Sequence, residues 1–132
     1  MDYIRVMRLE EIELMDLIKL VKSGPDSGRI GCVVSFIGVV REESIRGVVE
    51  KLQLDLSKDL EDKLRGISVD VGRKYGVINT LIYHNSGEID SGDAIMYILV
   101  SAEHRGEAFD ALQEIVDEVR KGVHVDLREF MK

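Results

Sequence analysis

One cysteine, one proline and no tryptophan among 132 residues leave several chemistries without material. Cys32 by itself builds no internal disulfide framework. Nor does it complete a zinc set, because His84, His104 and His124 are scattered and no cysteine–histidine spacing exists. Neither a Gly-x-Gly-x-x-Gly run nor a P-loop is present. Positive charge is also short, 18 Lys and Arg against 25 Asp and Glu, for a net charge of −7. Nucleic-acid phosphates would repel most of such a surface, which argues against nucleic acid as a partner. The apolar runs are strand-length, below the ~20 residues of a membrane span. The opening Met1-Asp-Tyr-Ile-Arg5 has no basic segment leading into an apolar one. The expectation is a cytoplasmic protein with no membrane segment, no metal and no resident cofactor.

What is present suffices for one domain. At 45% hydrophobic and 33% charged, the composition is that of a folded soluble chain. Its length buries a core without disulfides or metals. Residues 3–7 read as a strand and 10–22 as a helix, with Ile12, Met15, Ile18 and Val21 at helical spacing. Residues 23–28 form a loop holding the single proline. Residues 30–40 are a nearly continuous apolar strand, a pattern that predicts burial on both faces. After the polar loop 41–47, residues 48–56 alternate as a strand. Ser57 is then placed to cap a helix whose stripe is Leu60, Leu64, Ile67, Val71 and Tyr75, ended by Gly76. Strands over 77–84 and 94–102 are joined by a turn, 85–93. A last helix from about Gly106 is predicted to carry Phe109, Leu112, Ile115, Val116 and Val119 inward, and 123–130 is a short strand or an extended tail. The order β-α-β-β-α-β-β-α-β predicts a single α+β domain, residues 1–132, with helices on a mixed or antiparallel sheet.

The functional reading starts where the apolar strand 94–102 runs into Glu103-His104-Arg105 and a helix begins. A helix N-terminus already presents positive charge, so cations there are unfavourable while anions are welcome. His104 and Arg105 are therefore either neutralised by Glu103 and Glu107 or kept for a negatively charged ligand. His104 can act as acid, base or donor near neutral pH. Arg41 follows the strand 30–40 in the same way. If the two strands are neighbours, the guanidiniums converge at one sheet edge and suit a phosphate; the alternative is a loop arginine paired with Glu42 or Glu43. Arg120, Lys121, Arg128 and Lys132 gather cations near the C-terminus of an acidic chain, although Arg120 and Lys121 also simply complement the helix dipole. Cys32 reads as a core residue, since nothing basic flanks it.

Three segments resemble a known family. Gly31-Cys-Val-Val-Ser-Phe-Ile-Gly-Val-Val-Arg41 is similar to the Gly-Ala-x-Val-x-Phe-x-Gly-x-Val-Arg strand of the molybdopterin synthase large, catalytic subunit. His84-Asn-Ser-Gly-Glu-Ile-Asp-Ser-Gly-Asp93 resembles its His-Arg-x-Gly-x-Leu-x-x-Gly-Asp hairpin. Val100-Ser-Ala-Glu-His-Arg-Gly-Glu-Ala-Phe109 resembles its Val-x-x-x-His-Arg-x-x-Ala-Phe junction. The resemblance implies an α/β hammerhead fold and a homodimer with a ubiquitin-like small subunit at each end. It implies sulfur transfer from that subunit's thiocarboxylated tail to cyclic pyranopterin monophosphate. It places Arg41, His104 and Arg105 on substrate-pocket positions.

The family's two pocket lysines fall, without gaps, on Arg120 and Leu127; a slip of one residue offers Lys121 and Arg128 instead. The substrate-binding set implied is thus Arg41, His104, Arg105 and Arg120, with His104, Lys121 and Arg128 as catalytic candidates. The family's tryptophan is absent, and residues 53–59 lack its Glu-x-Tyr feature. Two further readings stay open: a non-catalytic relative that keeps the fold and dimer as a binding or regulatory subunit, and an unrelated anion-binding module.

Overall fold

A computed structural model describes residues 1–44, 46–54, 59–123 and 127–131. Its elements are β1 (Asp2–Val6), α1 (Leu14–Val21), β2 (Cys32–Val39), β3 (Glu43–Ser44), β4 (Gly47–Leu54), α2 (Leu60–Tyr75), β5 (Asn79–His84), β6 (Gly87–Asp90), β7 (Ala94–Ala102), α3 (Arg105–Val123) and β8 (Leu127–Met131). The predicted Ser57 cap lies outside the described residues.

The main sheet has the order β1-β5-β7-β2. β1 runs parallel to β5, while β5–β7 and β7–β2 are antiparallel, so the sheet is mixed. Alternation along the central strands splits the core in two. Ile82, Ile98 and Val100 face α2 and α3, meeting Leu64, Ala111, Ile115 and Val119. Leu81, Tyr83 and Leu99 face α1, meeting Leu17 and Val21. With both faces covered, every residue of β5 is buried. α2 ends where Gly76 takes φ 66°, a left-handed conformation that costs a residue with a Cβ.

A second, smaller sheet is organised on β4, which pairs with β3, β6 and β8. Its own small core is Val40, Val49, Leu52 and Ile89, with Ile95 and Met131 against it. The segment 85–93, expected as a turn, therefore contains a strand. Gly87 and Gly92, both at positive φ, bend it away from β5 and β7 so that Ile89 is buried against β4. The fold class is α+β as expected.

Three expectations are corrected. α1 starts at Leu14, not Glu10, and its buried face is Leu17 and Val21, leaving Met15 exposed. Phe109 points outward at 56% exposure, because Ala108, Ala111, Ile115 and Val119 define the buried stripe of α3. β2 is not covered on both faces: it is an edge strand on which Ser35, Ile37 and Val39 are exposed.

Candidate functional site

The two edges of the main sheet differ. Side chains of α2 cap the β1 edge: Glu61 Oε1 accepts from the Val6 N–H at 3.1 Å, and Arg65 donates to the Asp2 carbonyl at 3.4 Å. Ser68 also donates to the Asp2 carboxylate. Covering an edge in this way blocks further strand pairing. Among the described residues no other element bonds the outer edge of β2. Its register with β7 irregular only at Gly38/Val39, it presents an open row with Ile37 and Val39 about 40% exposed beside it.

α3 flanks this open edge. Arg105, Phe109, Leu112, Val116 and Arg120 recur at helical spacing and form one stripe. The opposite flank of α3 is turned to α2, where Glu114 accepts from Lys74 at 2.6 Å and from the Tyr75 hydroxyl at 3.0 Å. Those bonds hold the Glu114 carboxyl below its ordinary range, Lys74 being the larger cause, and raise Lys74 in turn.

At the end of β2 lies a cleft of about 600 Å³. Its floor is Phe36, Gly38, Val40, Val49, Leu52, Ile95 and Met96, and its polar rim is Arg41, Glu43, Ser44, Arg120 and Glu129. The structure therefore brings Arg41 and Arg120 together, from the end of β2 and the end of α3. Neither makes an ion pair among the described residues, so the pairing of Arg41 with Glu42 or Glu43 does not occur. Two free guanidiniums over an apolar floor suit an anion attached to an apolar or planar body.

His104 and Arg105 are elsewhere. They line a separate cavity of about 510 Å³ with Gly31, Cys32, Glu103 and Gly106, at the start of β2. The expected convergence of Arg41 with His104 and Arg105 at one sheet edge is thus corrected: within the chain they lie apart. β2 and β7 are neighbours but antiparallel, with Cys32 opposite Ala102 and Val39 opposite Ala94. The two cationic points sit at opposite ends of an eight-residue strand, about 25 Å apart at ~3.3 Å per residue. α3 repeats the separation, since Arg105 to Arg120 spans about 22 Å at ~1.5 Å per residue.

The junction itself is shaped by close backbone approach. A Cβ on Gly31 would collide with the Glu103 carbonyl oxygen, and the Gly31 N–H donates to the Ala102 carbonyl at 2.9 Å. Glu103 pairs with Arg29 at 3.4 Å and Glu107 with His104, while Arg105 has no partner among the described residues. Cys32 is only half-buried; its Sγ lies 3.7 Å from the Ala102 oxygen, and it borders the cavity of His104.

Lys121 does not reach the cleft. It lies in a groove between α2 and α3 with Lys63, Ile67, Asp70 and Glu118, 3.7 Å from the Glu118 carboxylate. Arg128 sits in β8 opposite Gln53, and its backbone alone is described. Glu43, Ser44 and Glu129 join the cleft without a local signal in the sequence, since nothing local foretells that β3 and β8 fold over the end of β2. No group of three or more metal-ligating side chains forms among the described residues.

Comparison with known proteins decides the family. The family described as MoaE protein matches residues 7–122. The chain belongs to it. The molybdopterin synthase catalytic subunit of Pyrococcus abyssi is 34% identical over 128 residues, covering 94% of this chain and 82% of that one. Molybdopterin synthase from Staphylococcus aureus shares the fold at a TM-score of 0.84 and 24% identity, covering 98% of this chain and 91% of that one. A Helicobacter pylori chain, solved as a complex of subunits 1 and 2 of molybdopterin-converting factor, shares it at 0.72 and 16%, covering 98% and 84%. This MoaE family chain is therefore a member of a molybdenum cofactor enzyme family, and the reading as an unrelated anion-binding module is set aside.

Proposed function

We propose that this MoaE family protein is a sulfurtransferase, passing sulfur from the thiocarboxylated tail of a ubiquitin-like small subunit to cyclic pyranopterin monophosphate. The single domain works in the cytoplasm as a homodimer of large subunits with a small subunit at each end. The observation that carries this reading is the β2 edge, open among the described residues, with arginines at both of its ends that make no ion pair among them. Two copies pairing antiparallel along β2 exchange those ends. Arg41 and Arg120 of one protomer then face His104 and Arg105 of its partner, and the apolar residues Ile37, Val39 and Phe109 leave water. A two-fold interface of this kind repeats the site twice.

In such a site the guanidiniums of Arg41, Arg105 and Arg120 bind the phosphate and the tail carboxylate as bidentate donors. His104 manages a proton during the exchange of oxygen for sulfur. Arg128 on β8 remains a catalytic candidate, as does Lys121, which needs displacement from its outer groove toward the cleft. The Helicobacter pylori complex, whose chain shares this fold, supports a small-subunit partner here.

A second reading is favoured by one observation: among the described residues no lysine lines the cleft. A non-catalytic homologue, acting as a binding or regulatory dimer, would keep the anion site and lack the amine. Reconstitution separates the two. The protein is mixed with thiocarboxylated small subunit and the pterin precursor, and the dithiolene product is measured. Conversion lost in Arg105→Ala supports the enzyme; small-subunit binding without turnover supports the regulatory homologue.

A further inference from the structure

His104 is exposed, its side chain at 77%, yet it is held. One oxygen, Glu107 Oε1, accepts from the His104 backbone N–H at 2.9 Å and lies 3.1 Å from His104 Nδ1. The first contact is half of a capping box, with His104 preceding the first residue of α3 and Glu107 three places on. A cap needs only the backbone bond. The second contact fixes the ring. A carboxylate has no proton to give, so Nδ1 is the donor and carries the hydrogen. Nε2 is then a bare acceptor, and it has no partner among the described residues. The Glu107 side chain is 28% exposed, well enough packed to serve as a fixed base beneath the exposed ring.

We infer that Glu107 is the positioning residue of His104, locking the imidazole as the Nδ1–H tautomer so that Nε2 meets the ligand as a proton acceptor. This rests on the reading that His104 touches substrate, and it assigns a division of labour within one cavity. Arg105 and the exposed start of α3 take the anionic group. His104 cannot donate to that group from a bare Nε2; it accepts a proton released by the bound substrate. The imidazolium so formed keeps its Nδ1–H on the Glu107 carboxylate. This is the logic by which a carboxylate orients a catalytic histidine elsewhere.

The test uses the full chain labelled with 15N. Ring nitrogen shifts of neutral His104, assigned through their loss in His104→Ala, report which nitrogen bears hydrogen. The wild type is expected to show a protonated Nδ1 and a bare Nε2, and Glu107→Ala to move the population toward Nε2–H. In reconstituted conversion Glu107→Ala is expected to lower kcat roughly ten- to a hundredfold, the size of effect seen when metal-bound histidines lose their orienting partner. KM should change little. The double variant His104→Ala/Glu107→Ala should be no slower than His104→Ala. Glu107→Gln, whose amide oxygen accepts both bonds, should recover the melting temperature and the Nδ1–H signal together. An unchanged tautomer in Glu107→Ala, or a kcat loss that adds in full to that of His104→Ala, overturns the inference. Full conversion by His104→Ala instead overturns the site reading beneath it.

Discussion

Gly31 offers a sharp test of how the site junction is built. It precedes β2 and passes so close to the β7–α3 turn that an added Cβ meets the Glu103 carbonyl oxygen, with the carbonyl carbon 3.3 Å away. Those are backbone atoms, so no side-chain rotation relieves the clash. Gly31→Ala must either push the Glu103–Arg105 turn outward or stretch the 2.9 Å bond from the Gly31 N–H to Ala102. Overpacking against a fixed neighbour costs about 1–3 kcal/mol, a melting-temperature loss of roughly 4–12 °C for a chain of this size. Gly28 is the control, because a Cβ there meets nothing within 4 Å. Thermal melts of both variants, together with inorganic phosphate binding by calorimetry, separate the outcomes. Gly31→Ala should melt earlier and bind phosphate more weakly, while Gly28→Ala keeps both. If Gly31→Ala melts with the wild type, the close approach is not a constraint and the reasoning fails.

Two other perturbations follow from the same structure. Glu114 is held below its ordinary value of 4.5 by Lys74 first and Tyr75 second, joining α3 to α2. A depressed carboxylate contributes stability above its unfolded pKa and loses it as pH falls through the lower folded one. Chemical denaturation should accordingly show Glu114→Gln less stable than wild type at neutral pH, with the gap closing below pH 4.5; a gap that stays constant would contradict the coupling. On the open edge, Ile37→Lys with Val39→Lys puts charge on side chains 42% and 44% exposed in one protomer. The fold should survive by circular dichroism, while light scattering shows the dimer lost to monomer, since burying unpaired charges in the joint is unfavourable. An unaltered dimer mass would place the interface elsewhere.

Periodicity made much of this fold legible before any coordinates. Leu60, Leu64, Ile67, Val71 and Tyr75 announced α2, Gly76 its end, and the apolar run 94–102 coincides with β7. The errors have a common cause. An apolar residue in the sequence says that it will be covered, not by what. Thus β2 looked like an interior strand and is an edge; Phe109 looked like core and is exposed because the alanines 108 and 111 let α3 sit close to the sheet. Strand direction was equally silent. The motifs at Arg41 and at His104-Arg105 were both recognisable, but only the antiparallel register of β2 on β7 puts them at opposite ends. That Arg120 shares the Arg41 cleft while Lys121 turns to α2 is a matter of 100° on a helix, and an uncertain register in sequence could not choose between them. A pairing of Glu107 with His104 was one of the readings open at that junction and it occurs; that the same carboxylate oxygen also caps α3 through the His104 N–H was not legible.

The composite site is tested most directly by mixing two inactive proteins. Arg41→Ala damages one half of the proposed site and Arg105→Ala the other, and in the proposed dimer the two halves that meet belong to different protomers. Exchanged dimers of the two variants would carry both defects in one site and none in the other. Random pairing in a one-to-one mixture should then restore about a quarter of wild-type conversion, half of the dimers having one intact site of two. A mixture as inactive as its parents, with subunit exchange confirmed by mass spectrometry, would show that Arg41 and Arg105 serve the same site from one chain or no common site at all.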